Sequence, residues 1–241
     1  MTVPNAVSSF YDALQRLQSK HPNGKAFSFS PSTNPFAIPG MPKNGIYFFF
    51  EKGETRKGSS KLRVVRVGTH GLRKNNNRLL KRIGTHYFGN IRRSAFRKLI
   101  AEAQKGKLLP KKTIPVLEPQ ISHHLFCQMN FLLLPVQNAL HRQQIEKISI
   151  GILSNCLNPV DPPSNSWLGS HHPDPRVSKS GLWNLDHVSL FCKKLSYTKG
   201  VVKTSSKGIR LSPTQDYAFL KEFLALFEEY VSRCPKLNDL A

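Results

Sequence analysis

Apolar positions along this chain fall into helical stripes, dense strand-like runs and long polar stretches between them. Over residues 4–20, Val7, Phe10, Tyr11, Leu14 and Leu17 recur at helical spacing with polar residues opposite, which predicts a docking helix. His21 to Lys43 then carries Pro22, Pro31, Pro35, Pro39 and Pro42 among serine and asparagine, so an extended arm is expected. Gly45 to Glu51, GIYFFFE, is an aromatic and β-branched run of strand type, and Val64, Val65 and Val67 make a second. Between them EKGETRKGSSK is too polar and glycine-rich to pack and reads as a long hairpin loop.

The second strand, RVVRVGTH, is expected to end on a Gly-Thr-His turn, with a helix starting near Arg78. A further helix from about Arg92 to Gln104 turns Phe96, Leu99, Ile100 and Ala103 inward and Arg92, Arg93, Arg97 and Lys98 largely outward. Residues 105–121 read as a linker. Residues 123–135 alternate, placing Leu125, Cys127, Met129, Phe131 and Leu133 on one face of a third strand that Pro135 ends. A helix over 137–155 follows, with Leu140, Ile145, Ile148 and Ile152 inward.

Asn158 to Arg176 is a proline-rich loop, SGLWN returns Trp183 to the core, and 193–211 is basic, rich in glycine and serine, and read as mobile. Ser212 as N-cap, Pro213 and Gln215 start a last helix whose apolar face carries Phe219, Phe223, Leu224, Phe227, Tyr230 and Val231. That face is core or the contact of a homodimer. The fold class is therefore α+β, a small three-stranded antiparallel sheet flanked by helices, with an N-terminal helix and arm and a C-terminal helix. The expected division is 1–42 for the helix and arm, 43–160 for the core and 161–241 for a loop-rich extension packed on it.

Charge narrows the function. Lysine and arginine number 36 against 14 acids, a net charge of +22, which makes a polyanion the natural partner. Between Lys43 and Lys112 stand 20 basic and 3 acidic residues, so the surplus is concentrated there. Cys127, Cys156, Cys192 and Cys234 lie far apart without zinc-like spacing, as reduced thiols of a cytoplasmic protein would. No apolar run reaches the roughly 18 residues of a membrane span and no leader is evident, so no membrane partner is expected.

GIY at 45–47 and RVG at 66–68, followed by Leu79, Arg82, Ile83 and His86 as Leu-x-x-Arg-Ile-x-x-His, resemble the signature of the GIY-YIG nucleases. SGLWNLDHV resembles a restriction-enzyme-like or uncharacterised bacterial branch of them. Arg66 stands where the family has its second tyrosine.

The resemblance implies phosphodiester hydrolysis on double-stranded DNA. Such chemistry needs an activated water, a charge clamp on the phosphate and usually a divalent ion. By resemblance, Tyr47 lies beside the attacking water as general base or relay, and Arg82 clamps the scissile phosphate. His86 and His70 share proton transfer or hold the phosphate, and Arg66 orients phosphate or water. Glu146 would hold Mg²⁺ or Mn²⁺, a hard ion that needs few protein ligands. Asn158 falls where the family often has a site asparagine, with Asn155 and Asn184 competing for that place.

Arg73, Lys74, Arg78, Lys81, Arg92, Arg93 and Arg97 are candidate DNA contacts, and His171, His172 and Asp174 a second candidate metal group. The leading reading is a restriction or DNA-defence endonuclease. Its alternatives are a non-catalytic nucleic-acid-binding protein on the same scaffold and an RNA-binding structural protein.

Overall fold

Each hydrophobic run finds its place around one central strand. In the computed structural model, which describes residues 1–34, 38, 41–70, 78–109, 117–156, 160–190, 196–198, 201–203 and 216–237, β1 (Gly45–Thr55) lies between β2 (Leu62–Thr69) and β3 (Met129–Pro135). It is antiparallel to both, and Tyr47 pairs with Gly68 on one side and Leu133 on the other. Strand alternation sends Ile46, Phe48 and Phe50 to one face and Tyr47 and Phe49 to the other, and both faces are buried.

The first face is covered by α1 (Val3–Ser19), α5 (Ala139–Leu153) and α7 (Ala218–Arg233). Phe10 of α1 stacks on Phe227 at 4.8 Å and meets Phe48 edge-on at 5.7 Å, so the N- and C-terminal helices share one core. The second face is covered by α2 (Arg78–Phe88), α3 (Ala95–Lys105) and α4 (Glu118–Gln128). There Phe49 is ringed by Phe96 at 5.3 Å, Phe131 at 5.4 Å and Tyr87 at 5.9 Å. A short α6 (Pro175–Ser178) and a separate hairpin of β4 (Ser196–Thr198) and β5 (Val201–Lys203) complete the elements.

The α+β class and the three-stranded antiparallel sheet are as the sequence implies. Several details differ. Gly68 and Thr69 continue β2 rather than turning, and β1 runs on to Thr55 through a bulge, so part of the expected loop is strand. Residues 123–128 are helix, not strand, with Ile121 and Leu125 buried one turn apart and Cys127 exposed. Leu140 is 73% exposed at the start of α5, although Ile145 and Ile152 point inward. The third helix begins at Ala95, because Ser94 caps it by accepting from Arg97 N at 3.2 Å. Ser212, Pro213 and Gln215 lie outside the described residues, as does most of 193–211. The apolar face of α7 packs on α1 and the sheet, the core alternative of the two.

All three acids of the basic segment are interior. Glu51 Oε2 accepts both indole N–H groups, from Trp167 and Trp183, at 3.0 Å each, and His124 Nε2 lies 3.1 Å from Oε1. Burial pushes the Glu51 carboxyl up, but His124 and the two indoles pull it further down, so it stays charged. Glu54 pairs with buried Arg63 at 2.7 Å and takes the Ser164 hydroxyl and N–H. Glu102 meets His172 Nε2 at 3.3 Å and Lys98 at 3.4 Å. These contacts tie residues 160–183 to the sheet and leave no acid of that segment facing solvent.

Candidate active site

As an edge strand, β2 would leave alternate N–H and C=O groups unpaired. Tertiary groups take them up. Trp183 N donates to Val65 O at 2.7 Å, and Asn184 accepts from Val67 N at 3.1 Å while donating to Val67 O at 2.8 Å. Glu146 Oε1 accepts from Thr69 N at 3.1 Å. Closing this edge brings α5 and residues 183–187 together at the end of β2.

A cavity of about 190 Å³ lies there, lined by Tyr47, Arg66, Arg82 and Glu146, one residue each from β1, β2, α2 and α5. Those four were each marked by the sequence. Asn184, Asp186 and His187 also line it. Asp186 and His187 fall within the SGLWNLDHV stretch, but that resemblance carried no role for either, and the turns of 181–187 belong to no periodic element. A larger cavity of about 620 Å³ between α1 and the β1–β2 hairpin contains none of the marked residues.

Tyr47 is buried, and its hydroxyl lies 3.0 Å from His86 Nε2. The other imidazole nitrogen is 2.9 Å from the hydroxyl of Ser94, the cap of α3. Burial, and then the charges of Arg66, Arg82 and Arg97, hold His86 well below the ordinary imidazole range, so the ring is neutral. Gly68 makes room for the phenol: a Cβ built on it would stand 2.2 Å from the Tyr47 oxygen. Gly45 is as restricted, since a Cβ there would stand 2.3 Å from Leu134 O.

Arg66 is 7% exposed, with its guanidinium 4.8 Å over the Phe96 ring and one terminal nitrogen donating to Trp183 O. Its Nε is buried without a hydrogen-bond partner among the described residues. Arg82 is half-buried at the cavity. Burial raises the Glu146 carboxyl above its usual range, against the pull of Thr69 N–H, Arg66 and Arg82 and with Asp186 adding to the rise. Among the described residues Glu146 is in no salt bridge, and Thr69 N–H is held by one of its two oxygens.

That donor set fits a hard divalent cation, which takes one or two carboxylates and completes its shell with water and phosphate oxygen. Among the described residues no group of three or more His, Cys, Asp or Glu is placed to hold a metal.

The remaining marked residues divide. His70 is buried just past the end of β2 and does not line the cavity. Asn158, Arg73 and Lys74 lie outside the described residues, and Arg78 opens α2. Asn155 is occupied by the Asp161 and Ser180 carbonyls, whereas Asn184 reaches the site. Of the histidine pair, His172 is buried between Glu102 and the Asp174 N–H, and Asp174 is paired with Arg176 at 2.6 Å.

Lys81, Arg92 and Arg93 are exposed. Arg97 is a correction. It was expected to face outward, yet it is 1% exposed, donating to His86 O and Tyr87 O at the end of α2 and pairing with Glu118 at 2.7 Å. It terminates α2 from inside, so it is no DNA contact.

Residues 1–204 match the family described as the GIY-YIG domain. Comparison with curated proteins and with solved structures gives no match.

Proposed function

Since the chain belongs to the GIY-YIG domain family, we propose that it is a metal-dependent endonuclease that hydrolyses phosphodiester bonds in double-stranded DNA. The observation that carries this reading is the meeting of Tyr47, Arg66, Arg82 and Glu146 at one cavity, from four separate elements. A DNA-binding protein without catalysis has no need of a buried phenol hydrogen-bonded to a neutral imidazole beside an unpaired carboxylate.

In this reading the Tyr47 oxygen accepts the proton of the attacking water as the phenol proton passes to His86 Nε2, while Nδ1–H is donated to Ser94. With the charges of three arginines against it, His86 holds that proton only in passing and returns it to the Tyr47 oxygen, which gives up the water's proton to the leaving oxygen. Arg66 and Arg82 hold the non-bridging oxygens of the scissile phosphate. Glu146 holds the divalent cation, Mg²⁺ or Mn²⁺, whose charge favours the developing alkoxide when bound. Arg66 thus supplies a fixed charge where the family has a phenol.

The exposed Lys81, Arg92 and Arg93, in a segment whose acids are all internal, are proposed to contact the DNA backbone. A restriction or defence role in the cytoplasm belongs to the same proposal. Its supports are the SGLWNLDHV resemblance and the thiols of Cys127 and Cys234, which form no disulfide among the described residues. Supercoiled plasmid incubated with Mg²⁺, and in parallel with EDTA, tests the core of it. Nicking or linearisation that requires Mg²⁺ and is lost in Tyr47→Phe is the expected result. Tight binding with no cleavage under any divalent ion would leave a non-catalytic binder instead.

A further inference from the structure

Asp186 has no part in the reading so far, yet it lines the same cavity as Glu146. Resting on the nuclease reading, we propose that Asp186 is a second carboxylate ligand of the divalent cation, shared with Glu146. The segment Asn184 to His187 is then part of the metal centre as well as the cover of β2.

Three observations lead there. Neither carboxylate is in a salt bridge with a described base, although Arg66 and Arg82 line the cavity with them. Glu146 commits Oε1 to Thr69 N–H, and among the described residues its other oxygen has no hydrogen bond. Arg66, more than nine-tenths buried at the same cavity, keeps an Nε–H with no partner among the described residues, which asks for an anion there. A site that offers two carboxylates to a cation and an unsatisfied guanidinium N–H to an anion suits a cation–phosphate pair.

The placement of Asp186 is also fixed. Asn184 grips Val67 through two hydrogen bonds, and His187 is held at φ 65°, a backbone state that non-glycine residues seldom adopt. Between these two points Asp186 has little freedom to leave the cavity mouth, where it is exposed and open to an incoming hydrated ion.

Mn²⁺ binding to the full chain, followed by electron paramagnetic resonance and by the shift in unfolding midpoint without DNA, tests this. The variants are Asp186→Asn, Asp186→Ala and Glu146→Gln, with exposed Asp12→Asn as the control for overall charge. Two substitutions at Asp186 guard against a folding defect in either, and circular dichroism checks each. The expected result is an affinity for Mn²⁺ lowered by about ten-fold or more in both Asp186 variants, with Asp12→Asn unchanged and the metal-free midpoint preserved. Wild-type affinity in both Asp186 variants, with binding lost in Glu146→Gln, overturns the role of Asp186 and leaves the nuclease reading standing. A wild-type protein that binds no Mn²⁺ and cuts no plasmid overturns both.

Discussion

The phenol of Tyr47 fills the space that a side chain on Gly68 would need, with 2.2 Å between its oxygen and a Cβ built there. The two residues are direct partners across β1 and β2. The tyrosine of the first motif and the glycine of the second are therefore one device: the glycine is the hole into which the tyrosine is set. Neither a turn nor an unusual backbone angle is involved.

Gly68→Ala should accordingly displace the Tyr47 hydroxyl from His86 while leaving the basic surface untouched. A shift of about 1 Å at a reacting group costs roughly 10²-fold in rate, and a loss of that order is expected with DNA affinity unchanged. Cleavage and binding measured side by side decide it. Wild-type turnover in the variant would show that the hydroxyl position is unimportant.

Tyr47→Phe removes the oxygen and keeps the ring, which packs edge-on against Phe49 at 5.4 Å. Folding should persist. The rate should fall by the roughly 10²- to 10⁴-fold typical of losing a general base. If turnover stays near normal, water is activated by another group at the cavity.

Glu146→Gln should separate function from stability. The carboxylate is partly desolvated with no described salt-bridge partner, an arrangement that disfavours the folded state and that the proposed cation would offset. The substitution is expected to abolish cleavage and to raise the metal-free unfolding midpoint. Thermal unfolding in EDTA checks the second part, and a lowered midpoint would mark Glu146 as a structural residue.

How much of this could be read from the chain depends on what each residue's neighbours are. Tyr47, Arg82 and Glu146 were marked because motif order carries them, and all three line one cavity. Arg97 was misplaced because helical periodicity gives a direction and not an environment. Its outward side meets the end of α2 and Glu118 of α4, neither of which periodicity could place. The strand reading of 123–128 failed because Leu125, Cys127 and Met129 alternate by accident across the junction of α4 and β3. Asp186 went unmarked although it lies in SGLWNLDHV, because that stretch by itself assigns it no role: only closure of the β2 edge by Asn184 brings it to Glu146.

His21 makes stability depend on pH. Its Nδ1 bonds Leu17 O and its Nε2 accepts from Leu133 N at 2.9 Å, fastening α1 to β3 with a neutral ring. Burial lowers it from 6.5 to about 4, against the Leu17 bond. With the folded value below the unfolded one, the contribution is whole above about pH 6.5 and is lost as pH falls toward 4. At about 1.36 kcal/mol per unit, the loss is on the order of 3 kcal/mol, and buried His86 acts in the same direction. His21→Gln should flatten the decline of the unfolding midpoint between those pH values, whereas an unaltered slope would assign it elsewhere.

The two kinds of arginine in the basic segment should answer differently to removal. Arg92 and Arg93 are exposed ahead of α3 and make no described ion pair, so alanine there should change stability by less than about 0.5 kcal/mol. If they meet phosphates, each loss should weaken DNA binding across sequences and reduce the salt slope by about 1. Arg97→Ala does the opposite. It strips the last carbonyls of α2 of their donors and leaves Glu118 without its partner. Arg97 is buried but the Glu118 side chain is 26% exposed, so the loss falls at the low end of the about 3–5 kcal/mol of a fully buried pair and lowers the midpoint of a chain of this size by roughly 5–10 °C. It also loosens the end of the helix that carries His86, so cleavage should fall even at temperatures where the variant is folded. Salt titrations of binding and thermal melts on the three variants separate the roles. An Arg97→Ala protein with wild-type stability and a reduced salt slope would return that residue to the DNA interface.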